Sequence, residues 1–112
     1  MKPVHLGRLL VLEASVRVSD GAGGFVENWA PVGSIWAEIS PGQGRDRGGE
    51  EVTLASVPYR IVVRGAPQGA ARRPIAGQRF RDGSRVFAIL AVTERDPAGL
   101  YLTCFAREEL LT

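Results

Sequence analysis

The strongest constraint on the fold is an alternation of apolar and polar side chains near the start of the chain. The segment Leu10–Val18 carries an apolar residue at every second position, with the polar residues Glu13, Ser15 and Arg17 between them. This two-residue period is that of a β-strand with one face buried and the other in water. The alternation therefore predicts a half-buried strand of an antiparallel sheet.

A glycine-rich segment, "DGAGG" at residues 20–24, follows this strand directly. Its glycines can adopt positive φ, so the chain can reverse and pair with itself. We therefore expect a second strand from about Phe25 to Ile39. It should be bent or bulged near Pro31, because proline cannot donate a hydrogen bond to a strand ladder.

Further strand patterns fill the second half of the chain. The segment "YRIVVR", residues 59–64, alternates between apolar and basic side chains, and "QRFRDGSRVFAILAV", residues 78–92, is a hairpin around an Asp-Gly turn. The segment "LYLTCFA", residues 100–106, is the last strand. A small sheet closed on itself removes exposed edges. The sequence thus predicts one all-β domain over residues 1–112, a small closed or partly open antiparallel β-barrel of about six strands.

Two long loops interrupt these strands. Residues 40–51, "SPGQGRDRGGEE", and residues 65–77 are rich in glycine and proline, which is typical of loops. Loops longer than about a dozen residues are uncommon in compact domains and are often functional. We therefore expect the two loops, rather than the barrel core, to carry the function.

The composition excludes several kinds of chemistry. One cysteine and one histidine, Cys104 and His5, cannot form a thiolate metal cluster or an intramolecular disulfide. We expect no catalytic residue, metal or cofactor, and Cys104 is predicted to be a small buried hydrophobe. The segment "GQGRDRG" lacks the GK[ST] ending of a phosphate-binding loop.

The chain has no apolar run long enough for a membrane span, and its start resembles a first strand rather than a signal peptide. We therefore expect synthesis in the cytoplasm and no membrane partner.

Arginines are concentrated in one interval of the chain. No acidic residue occurs between Glu51 and Asp82, and the same interval holds six arginines: Arg60, Arg64, Arg72, Arg73, Arg79 and Arg81. Such a segment could face an anionic partner such as DNA. The alternative is a codon effect, because all but one of the 14 Lys and Arg residues are arginine, as a GC-rich genome favours.

The two tryptophans are seven residues apart, so a regular strand would place them on opposite faces. A bulge near Pro31 would return them to one face. Trp36 is predicted to lie in the core because apolar residues flank it, whereas for Trp29 a core position and a contact surface remain open. The predicted core residues are Trp36, Ile39, Ile61, Ile89 and Cys104.

Several short motifs occur in a fixed order. The turn D-x-x-G-G at residues 20–24 precedes Trp29 and then "IWAEI" at residues 35–39, and "GRDRGGEE" follows in the first loop. The second half adds "YRIVVR" at residues 59–64, "GQRF" at 77–80, "RVFAI" at 85–89 and "LYLTC" at 100–104. This order and spacing resemble the head-tail joining family of tailed bacteriophages, the small head-closure or stopper proteins. One departure lies in the second loop, which lacks the compact P-x-[MI]-R-[VI] run often found before "GQRF".

The resemblance implies a structural protein rather than an enzyme. Members of this family are β-barrels that form a homo-oligomeric ring in the neck of a virion or phage-like particle, including gene transfer agents. The implied partners are a portal-adaptor protein on the head side, a tail terminator or tail tube on the tail side, and double-stranded DNA in the channel. The ring helps to retain packaged DNA and docks the tail.

These implied partners make two groups of residues candidates for contact. The first loop is expected to face the channel or the DNA through Arg45, Arg47, Gly48, Glu50 and Glu51. A second group is expected at a subunit interface or facing DNA: Arg64, Arg72 and Arg73. Two other functions stay open at this point, a monomeric nucleic-acid-binding barrel and another neck component such as a tail terminator. The first of these would need exposed aromatic residues near the arginines for base stacking, and only Tyr59 and Phe80 are available there.

Overall fold

Six antiparallel strands close into a barrel in the computed structural model, which describes residues 3–42 and 56–109. The strands are β1 (Arg8–Ser19), β2 (Phe25–Pro41), β3 (Ser56–Arg64), β4 (Arg79–Asp82), β5 (Arg85–Glu94) and β6 (Tyr101–Glu109). Their order around the barrel is β1-β2-β3-β6-β5-β4, and β4 returns to β1. This confirms the predicted all-β barrel. No helix in the described part of the chain is long and apolar enough to cross a membrane.

Every second side chain along the strands points inward, and these side chains form the core. Its largest fully buried side chains are those of Phe80, Phe87, Leu10, Leu12 and Ile61. Side chains fill the interior of such a small barrel, so the barrel holds a packed core and not a pore. Three of the predicted core residues, Ile61, Ile89 and Cys104, belong to the core cluster, and Ile39 packs against it while partly buried.

Trp36 is not a core residue, and that prediction is wrong. Its side chain is 55% exposed, whereas the neighbouring Ala37 is fully buried. Because side chains alternate between the two faces of a strand, the apolar residues that flank Trp36 turn inward and Trp36 itself turns outward. Its neighbour across the sheet is Leu9, which is also exposed.

The predicted irregularity near Pro31 is confirmed. Leu12 pairs with Gly33 and the next residue, Glu13, pairs with Pro31, so Val32 is an extra residue in β2. This bulge places Trp29 opposite Ser15 and Trp36 opposite Leu9. Residues 9 and 15 lie on the same face of β1, so both tryptophans share a face, but that face is the outer one.

The first hairpin extends beyond the barrel. β1 pairs with β4 only through residues 11–13, and β2 pairs with β3 only through residues 37–41. Residues 14–19 of β1 and 25–30 of β2 pair with each other alone among the described residues. We call this two-stranded extension, with its turn, the arm (residues 14–30).

The turn of the arm is closed by Asp20. Its carboxylate accepts hydrogen bonds from the N–H groups of Ala22 at 2.8 Å and Gly24 at 3.0 Å, which holds the pKa of Asp20 below its usual value. Gly21 and Gly23 have φ angles of 81° and 88°, which explains the need for glycine in this turn.

The two ends of the barrel carry different connections. At the first-loop end, β2 ends and β3 begins, and the turn between β4 and β5 lies at the same end. At the arm end lie the arm, residues 65–78 and the turn between β5 and β6. Residues 65–78 fold back over the core in short turns, and Pro74 within them is fully buried. This segment therefore has a defined path despite its departure from the family motif.

Truncation of a core residue should destabilise the protein more than truncation of an outer residue. We expect Phe80→Ala to lower the free energy of unfolding by about 3–5 kcal/mol, because a fully buried ring is removed. Trp36→Ala should cost only about 1 kcal/mol, the size of an exposed cross-strand contact. Urea unfolding of both variants measures the difference. An equal loss for the two variants would contradict the outward position of Trp36.

Candidate assembly surfaces

The residues predicted to face a channel lie outside the described residues: Arg45, Arg47, Gly48, Glu50 and Glu51. The two flanks of their segment are described. β2 ends at Pro41, and the N–H group of Gly42 donates a hydrogen bond of 2.9 Å to the carbonyl oxygen of Pro58 in β3. The two flanks of the segment therefore lie side by side at the first-loop end.

A charged and aromatic cluster covers the core at this end. Arg85 binds Glu108 through two hydrogen bonds, from Nε at 2.8 Å and from Nη2 at 3.0 Å, and Nη2 also donates to the Tyr59 hydroxyl at 3.2 Å. The Arg85 guanidinium lies 4.9 Å from the centre of the Phe87 ring. The hydrogen bonds from Arg85 lower the pKa of Glu108, and those with Glu108 raise the pKa of Arg85. The network joins β3, β5 and β6 at the end of the barrel where β2 ends and β3 begins.

The three arginines predicted to face a partner lie at the arm end. Arg64 is the last residue of β3 and is exposed, as is Arg72. β3 runs nine residues from the first-loop end, so at the usual strand rise Arg64 is roughly 26 Å from the start of that strand. Arg73 is half-buried and donates a hydrogen bond of 2.8 Å to the carbonyl oxygen of Ala66. Arg73 therefore stabilises its own loop.

The seam between β1 and β4 carries a buried carboxylate on its outer face. Glu13 is only 5% exposed and accepts hydrogen bonds from Arg79 Nε at 2.6 Å and Arg81 Nε at 3.2 Å. The Arg79 guanidinium also stacks on Trp29, 4.2 Å from the ring centre. Trp29 is thus a half-buried outer residue at the base of the arm. The cluster ties the arm, β1 and β4 together.

Two arginines of the arginine-rich interval, residues 60–81, have an acidic partner at this seam. The interval itself has no acidic residue, but Glu13 from β1 forms salt bridges with both Arg79 and Arg81 and offsets one of their two positive charges. The two aromatic residues of the interval are also packed in or against the core, so they are not free to stack on bases. Phe80 is fully buried, and Tyr59 packs edge-on against Phe87 with ring centres 5.2 Å apart. Neither feature supports a single-stranded nucleic-acid site on this face.

A groove of about 580 Å³ lies on the outer face of β2, β3, β5 and β6. Charged residues of both signs line it: Glu38, Arg60, Glu94 and Arg95. Among the described residues, no salt bridge joins these four side chains, and the Nε atom of Arg95 is buried without a hydrogen-bond partner. This polar lining differs from the largely apolar lining of a small-molecule site. Within residues 3–42 and 56–109, no group of His, Cys, Asp and Glu side chains is arranged to hold a metal ion.

The Glu13 and Arg85 clusters were both missed by sequence reasoning. Glu13 was correctly assigned to the polar face of its strand, but its partners follow 66 and 68 residues later. Only the pairing of β1 with β4 brings them together. The one sequence signal for either cluster is the presence of opposite charges on the strands, which does not identify the pairs.

Comparisons with known proteins agree with this fold. The model of a family described as phage head completion protein matches residues 1–109. A chain from the virion of a native gene transfer agent particle is 61% identical, with a TM-score of 0.80, and the alignment covers 99% of this chain and 100% of that one. A protein of Shigella flexneri 2a, known from its solution structure, shares the fold at 22% identity, with a TM-score of 0.68 and 96% of each chain covered. No curated protein has significant sequence similarity to the chain.

Loss of a buried salt bridge at the seam should cost more stability than loss of an exposed one. Glu13→Gln should lower the free energy of unfolding by about 3 kcal/mol, because two arginines then face each other around a neutral group in a buried site. Arg8→Gln removes the exposed ion pair with Asp82 and should cost less than about 1 kcal/mol. Chemical unfolding at neutral pH measures both. A Glu13→Gln variant as stable as Arg8→Gln would show that the seam does not depend on its charge.

Proposed function

This chain belongs to the phage head completion protein family, and we propose that it forms a ring between the portal-adaptor complex and the tail of a phage or gene transfer agent. The observation that carries this proposal is the whole-length, 61% identical chain in a gene transfer agent virion, together with the family match over residues 1–109. The protein is a structural component of the virion and not an enzyme. Retention of DNA and docking of the tail are the proposed roles of the ring.

The filled barrel supports a ring rather than a single pore-forming chain. Phe80, Phe87, Leu10 and Leu12 occupy the interior, and Pro74 covers it at the arm end. DNA cannot pass through such a core, so a channel for DNA must lie between copies of the chain. A head-to-tail contact repeated by rotation closes into a ring and leaves a central opening.

The first loop is the part of the chain best suited to narrow that opening. The barrel cannot move inward without loss of packing, whereas residues 40–51 contain four glycines that allow several backbone paths. Arg45 and Arg47 are proposed to contact phosphates, and Glu50 and Glu51 to meet arginines of a neighbouring copy. The Arg85–Glu108 cluster is proposed to give the loop a rigid base.

The exposed arginines of the arm end are proposed to meet a second partner. Arg64 and Arg72 lie at the opposite end of the barrel from the first loop, so one ring can contact the head side and the tail side at once. Arg73 is proposed to shape this surface through its bond to Ala66. Carboxylates of an adjacent protein or the DNA backbone would supply the negative charge.

Shortening the first loop tests the gating role. A variant that joins Pro41 directly to Gly49 should fold, because the deletion falls between β2 and β3 and removes none of the described core residues. Particles carrying it should fill with DNA but lose that DNA before tails attach. Electron microscopy of heads, with nuclease protection of their DNA, measures the outcome. The controls are a strain that lacks the protein and the same strain complemented with the unaltered chain.

Two results would contradict these proposals separately. Fully stable, infectious or DNA-transferring particles made with the shortened chain would show that the first loop is not the gate, and residues 65–77 would then be examined. Absence of the unaltered protein from purified particles, or joined heads and tails in the strain that lacks it, would contradict the connector role itself.

A further inference from the structure

The arm has two open backbone edges. Residues 14–19 of β1 and 25–30 of β2 have no strand partner other than each other among the described residues. Each edge presents free N–H and C=O groups that can template pairing with another strand. An isolated two-stranded ribbon is at best marginally stable in water. Pairing with further strands would therefore stabilise the arm.

One face of the arm is apolar and uncovered. Ala14, Val16 and Val18 of β1 lie on the same side as the core residues Leu10 and Leu12, because β1 has no inserted residue. Val16 is 43% exposed, and Val26 of β2, which lies opposite Val18, is 48% exposed. The barrel's apolar inner face therefore continues into solvent as a strip, which is interrupted by Asn28 opposite Val16 and which added strands would lengthen.

The opposite face carries complementary charges that are not paired with each other. Arg17 and Glu27 are direct neighbours across the arm, yet no salt bridge joins them. The Arg17 guanidinium instead stacks on Phe25 at 4.5 Å from the ring centre, and Glu27 accepts a hydrogen bond of 2.5 Å from Ser15. The β1 edge thus offers a positive charge and the β2 edge a negative one.

From these observations we propose that arms of neighbouring copies pair edge to edge, with β1 of one copy against β2 of the next. Arg17 of one copy then meets Glu27 of the next. The occupant is a second copy because each chain offers both kinds of edge, one next to Arg17 and the other next to Glu27, so the two edges carry opposite charges. Rotation about a ring axis keeps all arms in the same orientation, so the new strand pairs are antiparallel, as within the arm. This inference rests on the proposed ring and identifies its subunit contact.

Site-specific cross-linking in purified particles tests the pairing. Two variants, Arg17→Cys and Glu27→Cys, are produced together in a strain that lacks the unaltered chain, with an affinity tag on one of them. Burial raises the pKa of the native Cys104 thiol to about 12, so that thiol should stay unreactive under mild oxidation. We expect a dimer that contains one copy of each variant, whereas neither variant alone should form a dimer with itself. Replacing Glu27→Cys by Leu90→Cys, at an exposed position on β5, gives the matched negative control.

A charge exchange provides a second measurement that needs no cysteine. Arg17→Glu or Glu27→Arg alone should lower the yield of DNA-containing particles severalfold, and the double exchange should restore it. Each single exchange also places like charges opposite each other within one arm, but both positions are exposed, so the thermal midpoint of the isolated variants should fall only slightly and the double exchange should restore it.

The outcomes separate this inference from the proposed function. Particles that contain both cysteine variants and retain DNA, but show no mixed dimer, would overturn the arm pairing and leave the connector role intact. Dimers of one variant with itself, or cross-links to a different particle protein, would overturn it as well. If the unaltered chain is absent from particles, the connector role fails and the inference fails with it.

Discussion

Closure of the barrel between β1 and β4 is the constraint on which the rest of the structure depends. Only three residue pairs form this seam, Val11 to Glu13 against Arg81 to Arg79. Phe80 buries the inner side of the seam, and Glu13 with its two arginines holds the outer side. Because β4 is only four residues long, β1 loses its second neighbour after Glu13 and continues as one strand of the arm.

Because the seam is short, the molecule consists of a closed barrel and an arm whose strands lack further partners. The barrel is closed by strand pairing and filled with side chains, so it can hold residues 65–78 in a fixed position. The arm, in contrast, has open edges and an uncovered apolar face. The proposed ring would benefit from this division, because the barrel of each copy would be complete before the contacts between copies form.

The sequence was sufficient for features that depend on local periodicity. Alternation gave β1 and β3, and glycine and proline gave the arm turn and the bulge near Pro31. Trp36 shows the limit of local pattern, because apolar residues on both sides of it suggest burial, whereas a strand turns those neighbours to the opposite face. The Glu13 cluster shows a different limit. Strands distant in sequence create it, and no local pattern of β1 or β4 specifies their pairing. The channel-facing residues of the first loop remain predictions.

Amide hydrogen exchange, compared between the free protein and assembled particles, tests most directly whether a complete barrel carries an arm that is completed only by assembly. We expect slow exchange for residues 11–13 and 79–81 in both states, since the seam is internal to each copy. Peptides from residues 14–19 and 25–30 should exchange rapidly in the free protein and slowly in the particle. An arm that exchanges at the same rate in both states, whether slow or fast, would contradict the account.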